Sequence, residues 1–376
     1  MNFSFTEEQE IVRDSVERFV REKYEPDMRR KIEASELGFS TEHWAMFAEL
    51  GWLGLLFSED DGGFGGGAIE TMVLFEAFGR GPVIEPYLAT VILAGSILRR
   101  AASASQKEKL VPAIIDGKLQ MALAFSEPDG RYNLANVSTM ATETGEGFVI
   151  DGAKSVVLNG PTADKLIVSA RTHGEQHDPD GVTLFLVDTD AKGVSRQNFP
   201  TQDGFRASEI VFDEVEVNAD SIIGELHKGH AILAAAIDEA ILASCAEAVG
   251  AMEMLNKTTL EFSKTRKQFG VPIGQFQVLQ HRMAEMFMEY EQTKSLLYRA
   301  AMALAAGDKD TSRTISALKV QVGQAGRKIG QEAIQIHGGM GMTEEMYVGT
   351  YFKRLTMINS MFGNADYHLH RFATKV

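Results

Sequence analysis

Behind Thr6 the apolar residues Ile11, Val12, Val16, Phe19 and Val20 recur every three or four positions, which predicts an amphipathic helix. The Thr6…Gln9 pair is a capping box that starts it. Further helical stretches follow around 42–50, 69–78 and 88–102. Near residue 121 the period changes. Phe148–Ile150 and Lys154–Leu158 read as two short strands joined by an Asp151-Gly152 turn. The β-rich runs 165–172, 182–189 and 209–217 come next, separated by Gly, Pro and Asp. Strands without intervening helices predict an antiparallel sandwich or barrel rather than a dinucleotide-binding unit. After Gly229 the helical period returns over about 231–266, 276–306 and 310–336. The expected organisation is α+β in three domains: helical 1–120, a middle β-sandwich or barrel 121–226, and a C-terminal four-helix bundle 227–376.

Composition narrows the function classes. The 376 residues carry 37 Lys and Arg against 52 Asp and Glu, a net charge of -15, so a nucleic-acid binder is demoted. Cys245 is the single cysteine and has no intramolecular partner for a disulfide. The apolar run 231–237 ends at Asp238-Glu239, far short of the ~20 residues a membrane span requires. The opening Met1-Asn2-Phe3-Ser4-Phe5-Thr6-Glu7-Glu8 lacks a basic start, and the expectation is a cytoplasmic protein. The loop from Ser58 to Gly67 is rich in glycine but has three acids and no Gly-Lys-Ser/Thr ending, so it reads as a tight loop passing another backbone. His173 and His177 lie among Gly, Pro and Asp, which places them in a loop, and Cys245 reads as a small core residue.

Two stretches are more specific. Residues 264–277 read Lys-Thr-Arg-Lys-Gln-Phe-Gly-Val-Pro-Ile-Gly-Gln-Phe-Gln, and 335–343 read Gln-Ile-His-Gly-Gly-Met-Gly-Met-Thr. Arg266 is a permanent cation with a fork suited to a pyrophosphate, Phe269 offers a flat apolar face, and Gly338-Gly339 lets a backbone approach a ligand closely. With the α, β, α order, these stretches resemble the acyl-CoA dehydrogenase family over essentially the whole chain. Within it the likeness is greatest to small subunits of bacterial two-subunit enzymes such as the one acting on pimeloyl-CoA.

The resemblance implies FAD as cofactor, an acyl-CoA substrate and an electron-transfer flavoprotein as acceptor. It implies a dimer or tetramer built through the C-terminal helices. It marks Arg266, Phe269, Gln277, Gln335, Gly339, Ser126 and Asn364 as cofactor-binding positions. In the family the matching arginine and phenylalanine hold the ADP half of a flavin belonging to the neighbouring subunit.

The chain also departs from the family pattern. The usual base is a Glu followed by Gly and Thr, where this chain reads Met361-Phe362-Gly363-Asn364, and a phenyl ring accepts no proton. The other known place, on the helix after the β domain, holds Ala240. Glu239 is adjacent, but one residue turns a helical side chain by ~100°. Val156 and Leu158 stand where the family has a flavin-contacting Trp and Thr. The ADP side is kept while the ring side and base are lost. The expectation is a subunit that completes the flavin site of a homologous large subunit carrying the glutamate. Two alternatives stand beside it: a self-sufficient dehydrogenase with Glu239 or Asp366 as relocated base, and a flavin-free scaffold or acyl-CoA-binding subunit.

Overall fold

The computed structural model describes residues 5–343 and 345–374. The first four residues, part of the reading of the chain start, lie outside the described residues. Helices α1 (Glu7–Lys23), α2 (Pro26–Glu33), α3 (Thr41–Glu49) and α4 (Ala68–Arg80) come first. A buried π-helical segment, Leu88–Ala94, then runs into α5 (Gly95–Ala101), followed by α6 (Ala104–Ile115). The capping box at α1 is present: the Thr6 hydroxyl accepts from Gln9 N–H and the Gln9 side chain accepts from Thr6 N–H.

Eight strands follow: β1 (Met121–Ala124), β2 (Met140–Glu143), β3 (Gly147–Leu158), β4 (Lys165–Arg171), β5 (Val182–Asp188), β6 (Val194–Pro200), β7 (Arg206–Asn218) and β8 (Ile222–Ile223). They form one sheet in the order β6-β7-β3-β2-β4-β5-β8, with β1 against β4. Two sequence expectations are corrected here. The sheet is mixed, not purely antiparallel, because β1 and β2 both run parallel to β4. Asp151-Gly152 is not a hairpin turn either. It lies inside the continuous β3, as a register shift against β7. Asp151 Oδ1 accepts Glu214 N–H across that pair, and Gly152 sits at φ +147 with Thr139 so close that a Cβ would meet its Cα at 2.7 Å.

The long helix α7 (Gly229–Thr265) leads to a small hairpin, β9 (Lys267–Gln268) and β10 (Val271–Pro272). Then come α8 (Gln277–Ala305), α9 (Thr311–His337), α10 (Val348–Ser360) and α11 (Ala365–Thr374). No helix among the described residues is long and apolar enough to cross a membrane.

Contacts divide the chain into two compact units, and the division falls inside α7. One unit holds Met1–Lys31, Gly67–Val83 and Ile241–Val376. Within it α4 and α7 cross backbone to backbone: a Cβ on Gly79 would meet Glu247 O at 2.0 Å, and one on Gly250 would meet Glu76 O at 2.0 Å. The other unit holds Ile32–Gly66 and Ile84–Ala240. Its sheet buries a core that includes Ile150, Leu166, Val168, Phe185 and Phe212, with the Phe148 and Phe185 rings 5.2 Å apart. The glycine-rich loop passes another backbone closely, as its composition predicts, since a Cβ on Gly63 would meet Phe57 O at 2.3 Å.

Candidate active site

In the first unit, α7 ends at Thr265 and delivers Arg266 to the surface just before the small hairpin. That hairpin turns through Phe269 (φ 53) and Gly270 (φ 84), with Gln268 paired to Val271. Two positive φ values in a two-residue loop are the tight-hairpin geometry that favours Asn or Gly at its first position. A phenylalanine held there is strained, and its ring is 94% exposed. A bulky apolar residue kept in a costly conformation and turned to solvent points to a function outside this chain's own core.

Gln277 opens α8 and Gln335 lies in the last turn of α9; both are exposed. Gly338 ends α9 at φ +59, a conformation that glycine adopts without strain. A Cβ at Gly338 or Gly339 would meet nothing within 4 Å. The neighbouring His337 is buried and stacks on Phe262 at 4.3 Å, with Nδ1 2.8 Å from Ala333 O. Its Nε2 is buried with no hydrogen-bond partner, and burial pushes the ring's pKa down.

The same unit contains the Met361–Gly363 bend between α10 and α11. Phe362 has φ 57 and Gly363 φ 112. Asn364 caps α11, its Oδ1 accepting Tyr367 N–H at 2.9 Å. Asp366 is exposed in the first turn of that helix.

In the second unit, Ser126 is tied to β3 by Ser155 N–H donating to its carbonyl at 2.8 Å. The next residue, Glu127, is buried and receives Ser138 N–H (2.7 Å), Thr139 N–H (3.0 Å) and the Lys154 ammonium (2.6 Å). Burial pushes Lys154 down to about 8, against the pull of Glu127, while Lys154 and these N–H donors draw Glu127 below the usual carboxylate range despite its burial. Sequence reasoning passed over this pair, whose only signal was a lysine inside an otherwise apolar strand. One step further, Val156 has φ 52, is 46% exposed and donates its N–H to Glu209 Oε1. A β-branched residue with positive φ is an outlier. Leu158 closes the strand.

Glu239, on α7, is held by Arg99, whose Nη2 donates to Oε2 at 2.7 Å, and by Arg100 on Oε1. Ala240 beside it is fully buried. The structure thus turns the Glu239 carboxylate to α5, away from the direction of residue 240.

Two further sequence readings concern other residues. Arg171 is buried, and its guanidinium donates to the carbonyls of Ala135, Gln176, Asp178 and Asp180 at 2.7–3.0 Å. The His173–His177 loop is built around that cation, and no metal-binding cluster exists among the described residues. Cys245 is fully buried, and burial pushes its thiol up to about 12.

Family models for the acyl-CoA dehydrogenase N-terminal, middle and C-terminal domains match residues 6–118, 122–215 and 227–376. The chain belongs to the acyl-CoA dehydrogenase family. It is 30% identical to the L-prolyl-[peptidyl-carrier protein] dehydrogenase of a Serratia species, over 92% of this chain and 90% of that one. Among solved structures it is similar to PigA with FAD and proline, at 29% identity and a TM-score of 0.92, covering 100% of this chain and 99% of that one. It is also similar to the ChsE4-ChsE5 complex from Mycobacterium tuberculosis, at 25% identity and a TM-score of 0.90, covering 99% of this chain and 98% of that one. The chain is therefore an acyl-CoA dehydrogenase by fold and family, with the three-domain order expected from its sequence.

Proposed function

We propose that this acyl-CoA dehydrogenase chain works in FAD-linked α,β-dehydrogenation of an acyl-CoA thioester as the subunit without the usual base. It holds the nucleotide half of a flavin whose ring is served by a homologous subunit carrying the glutamate. The supporting observation is a contrast between two positive-φ phenylalanines. Phe269 stands exposed beside the exposed Arg266, while Phe362 occupies the bend where the family pattern has its proton acceptor.

The residues present fit the nucleotide half of FAD. Arg266 supplies a fork for the pyrophosphate, Phe269 a face for apolar stacking, and Gly338-Gly339 a backbone with open space in front of it. Gln277 and Gln335 add exposed amides on the same unit. The ring half is served less well, because Val156 and Leu158 offer neither an aromatic face nor a hydroxyl. Ser126 remains on that side and Asn364 serves as a helix cap. When bound, FAD supplies the acceptor for the β-hydride, and the α-proton needs a carboxylate. Glu239 is engaged by two guanidiniums and Asp366 faces solvent, so neither is placed as a free proton acceptor.

The exposed apolar side chains of the first unit, Phe269, Val278, Phe287, Met288 and Met342, supply a surface for subunit contact. The substrate class is an unusual acyl chain, dicarboxylic or a steroid side chain, and the electrons leave to an electron-transfer flavoprotein. Co-expression with the neighbouring reading frame, followed by counting flavin per chain, tests the proposal. Less than one flavin per chain, appearing only in the co-purified complex, is expected. One flavin per chain in the protein purified alone would refute it.

A further inference from the structure

Two fully buried, titratable side chains converge on the Met361–Gly363 bend, and nothing in the reading above uses them. His368, on α11, has Nε2 3.0 Å from the carbonyl oxygen of Phe362 and Nδ1 3.3 Å from Ser316 Oγ. Lys319, on α9, directs its ammonium to the carbonyl of Ile358 and, at 3.5 Å, to that of Asn359. These are carbonyls of the last turn of α10, where a cation is favoured by the unpaired C=O groups and the helix dipole.

Ser316, Lys319 and Gly323 lie on one face of α9, at spacings of three and four. At Gly323 the approach is so close that a Cβ would meet Asn359 Oδ1 at 2.3 Å and Ala365 Cβ at 3.2 Å. The bend itself has no slack. Phe362 and Gly363 both have positive φ, and a Cβ on Gly363 would meet Tyr367 Cδ1 at 2.4 Å and His368 Nε2 at 2.7 Å. Asn364 then fixes the start of α11. A non-glycine residue at positive φ persists only where its surroundings over-determine it.

We propose that His368 and Lys319 are positioning residues that lock this bend, so that the side chain at 362 is presented in one fixed backbone geometry. His368 grips the peptide that follows Phe362, and Lys319 grips the helix end that precedes it. Residue 362 is therefore mounted rigidly whether it is a phenyl ring or a carboxylate. The functional consequence rests on the reading of 362 as the position of the missing base; the locking does not.

Amide hydrogen exchange in the full-length chain tests the locking directly. His368→Leu is expected to speed exchange at 363–366 at least tenfold while the middle of α9 and α7 stays protected. His368→Gln, whose side-chain amide donates to the Phe362 carbonyl, restores the slow rate. Lys319→Met loosens 359–362 in the same way. Unchanged exchange at the bend in His368→Leu, or a uniform rise throughout all helices with no rescue by Gln, overturns the proposal.

A second readout uses Phe362→Glu in the flavin-loaded complex. If that variant gains turnover, adding His368→Leu should lower kcat with KM unchanged, and His368→Gln should recover it. If Phe362→Glu gains nothing while the exchange result holds, the assignment of position 362 as the base site fails and the locking stands.

Discussion

Glu247 and Arg354 meet end on inside the helical unit: Nε and Nη2 of the guanidinium donate to the two carboxylate oxygens, each at 2.6 Å, with both side chains buried. The pair fastens α10, which leads into the Phe362 bend, to α7. Fork-to-fork geometry fixes direction as well as distance. Removing one partner strands the other charge in the core. Glu247→Ala should destabilise the protein by about 3–5 kcal/mol, whereas Glu247→Met combined with Arg354→Leu should cost far less. Urea unfolding of the three proteins separates the cases; equal losses for the single and double variants would deny the pair its buried charge.

Lys319 makes a pH prediction with a definite sign. Burial pushes its ammonium down to about 8, while in the unfolded chain a lysine keeps its proton to about 10.4. Between these values the unfolded state binds more protons, so this site's contribution to stability rises with pH and is flat below about 8. The Cys245 thiol facing it, pushed up to about 12, stays neutral throughout that window, and Arg354 stays cationic. The stability of wild type relative to Lys319→Met should therefore climb by roughly 2–3 kcal/mol from pH 7.5 to pH 10. A flat difference would mean that the amine is not desolvated.

The α4–α7 crossing leaves no room for a methyl group. Gly79→Ala and Gly250→Ala each place a Cβ 2.0 Å from a backbone carbonyl oxygen that cannot swing aside. Overpacking of about 1–3 kcal/mol or more follows for each. Thermal melts check it, with Gly307→Ala as the contrast, because a Cβ there meets nothing within 4 Å and only its φ of +62 penalises the change.

Arg266→Gln and Phe269→Ala remove exposed side chains with no packing role in the chain itself. Both should leave the melting temperature of the isolated chain unchanged or, for Phe269, in which a strained residue is relieved only in part, shifted slightly. In the complex with its flavin-bearing partner they should weaken FAD retention at least tenfold. A loss of stability with no loss of flavin would assign these residues to the fold instead.

Much of the architecture was legible because helical stretches of this length declare their period; α7, α8 and α9 fall within two residues of the sequence reading. The sheet was harder. β6, with Ser195, Arg196, Gln197 and Asn198 facing water, sits at the sheet edge, where polar side chains suppress further pairing and erase the alternating pattern. Asp151-Gly152 carries the composition of a hairpin turn, but the partner strand on the far side continues past it, and tertiary pairing made it a bulge. At the site, residue types announced the chemistry of Arg266 and Gly338-Gly339. The strain at Phe269 and Val156 has no sequence signature, since it depends on which backbone conformation the surroundings impose. The Lys319–His368 arrangement joins segments around 316–319, 358–362 and 368, which only the fold brings together.

The central claim is that this chain has no proton acceptor of its own for the acyl α-carbon. Anaerobic mixing of an acyl-CoA with the chain purified alone and reconstituted with FAD, while flavin absorbance is followed, tests it most directly. The account predicts no thioester-dependent bleaching in the isolated chain and rapid bleaching once the glutamate-bearing partner is present. Bleaching by the isolated chain at the rate of the complex, abolished by Glu239→Gln or Asp366→Asn, would contradict it.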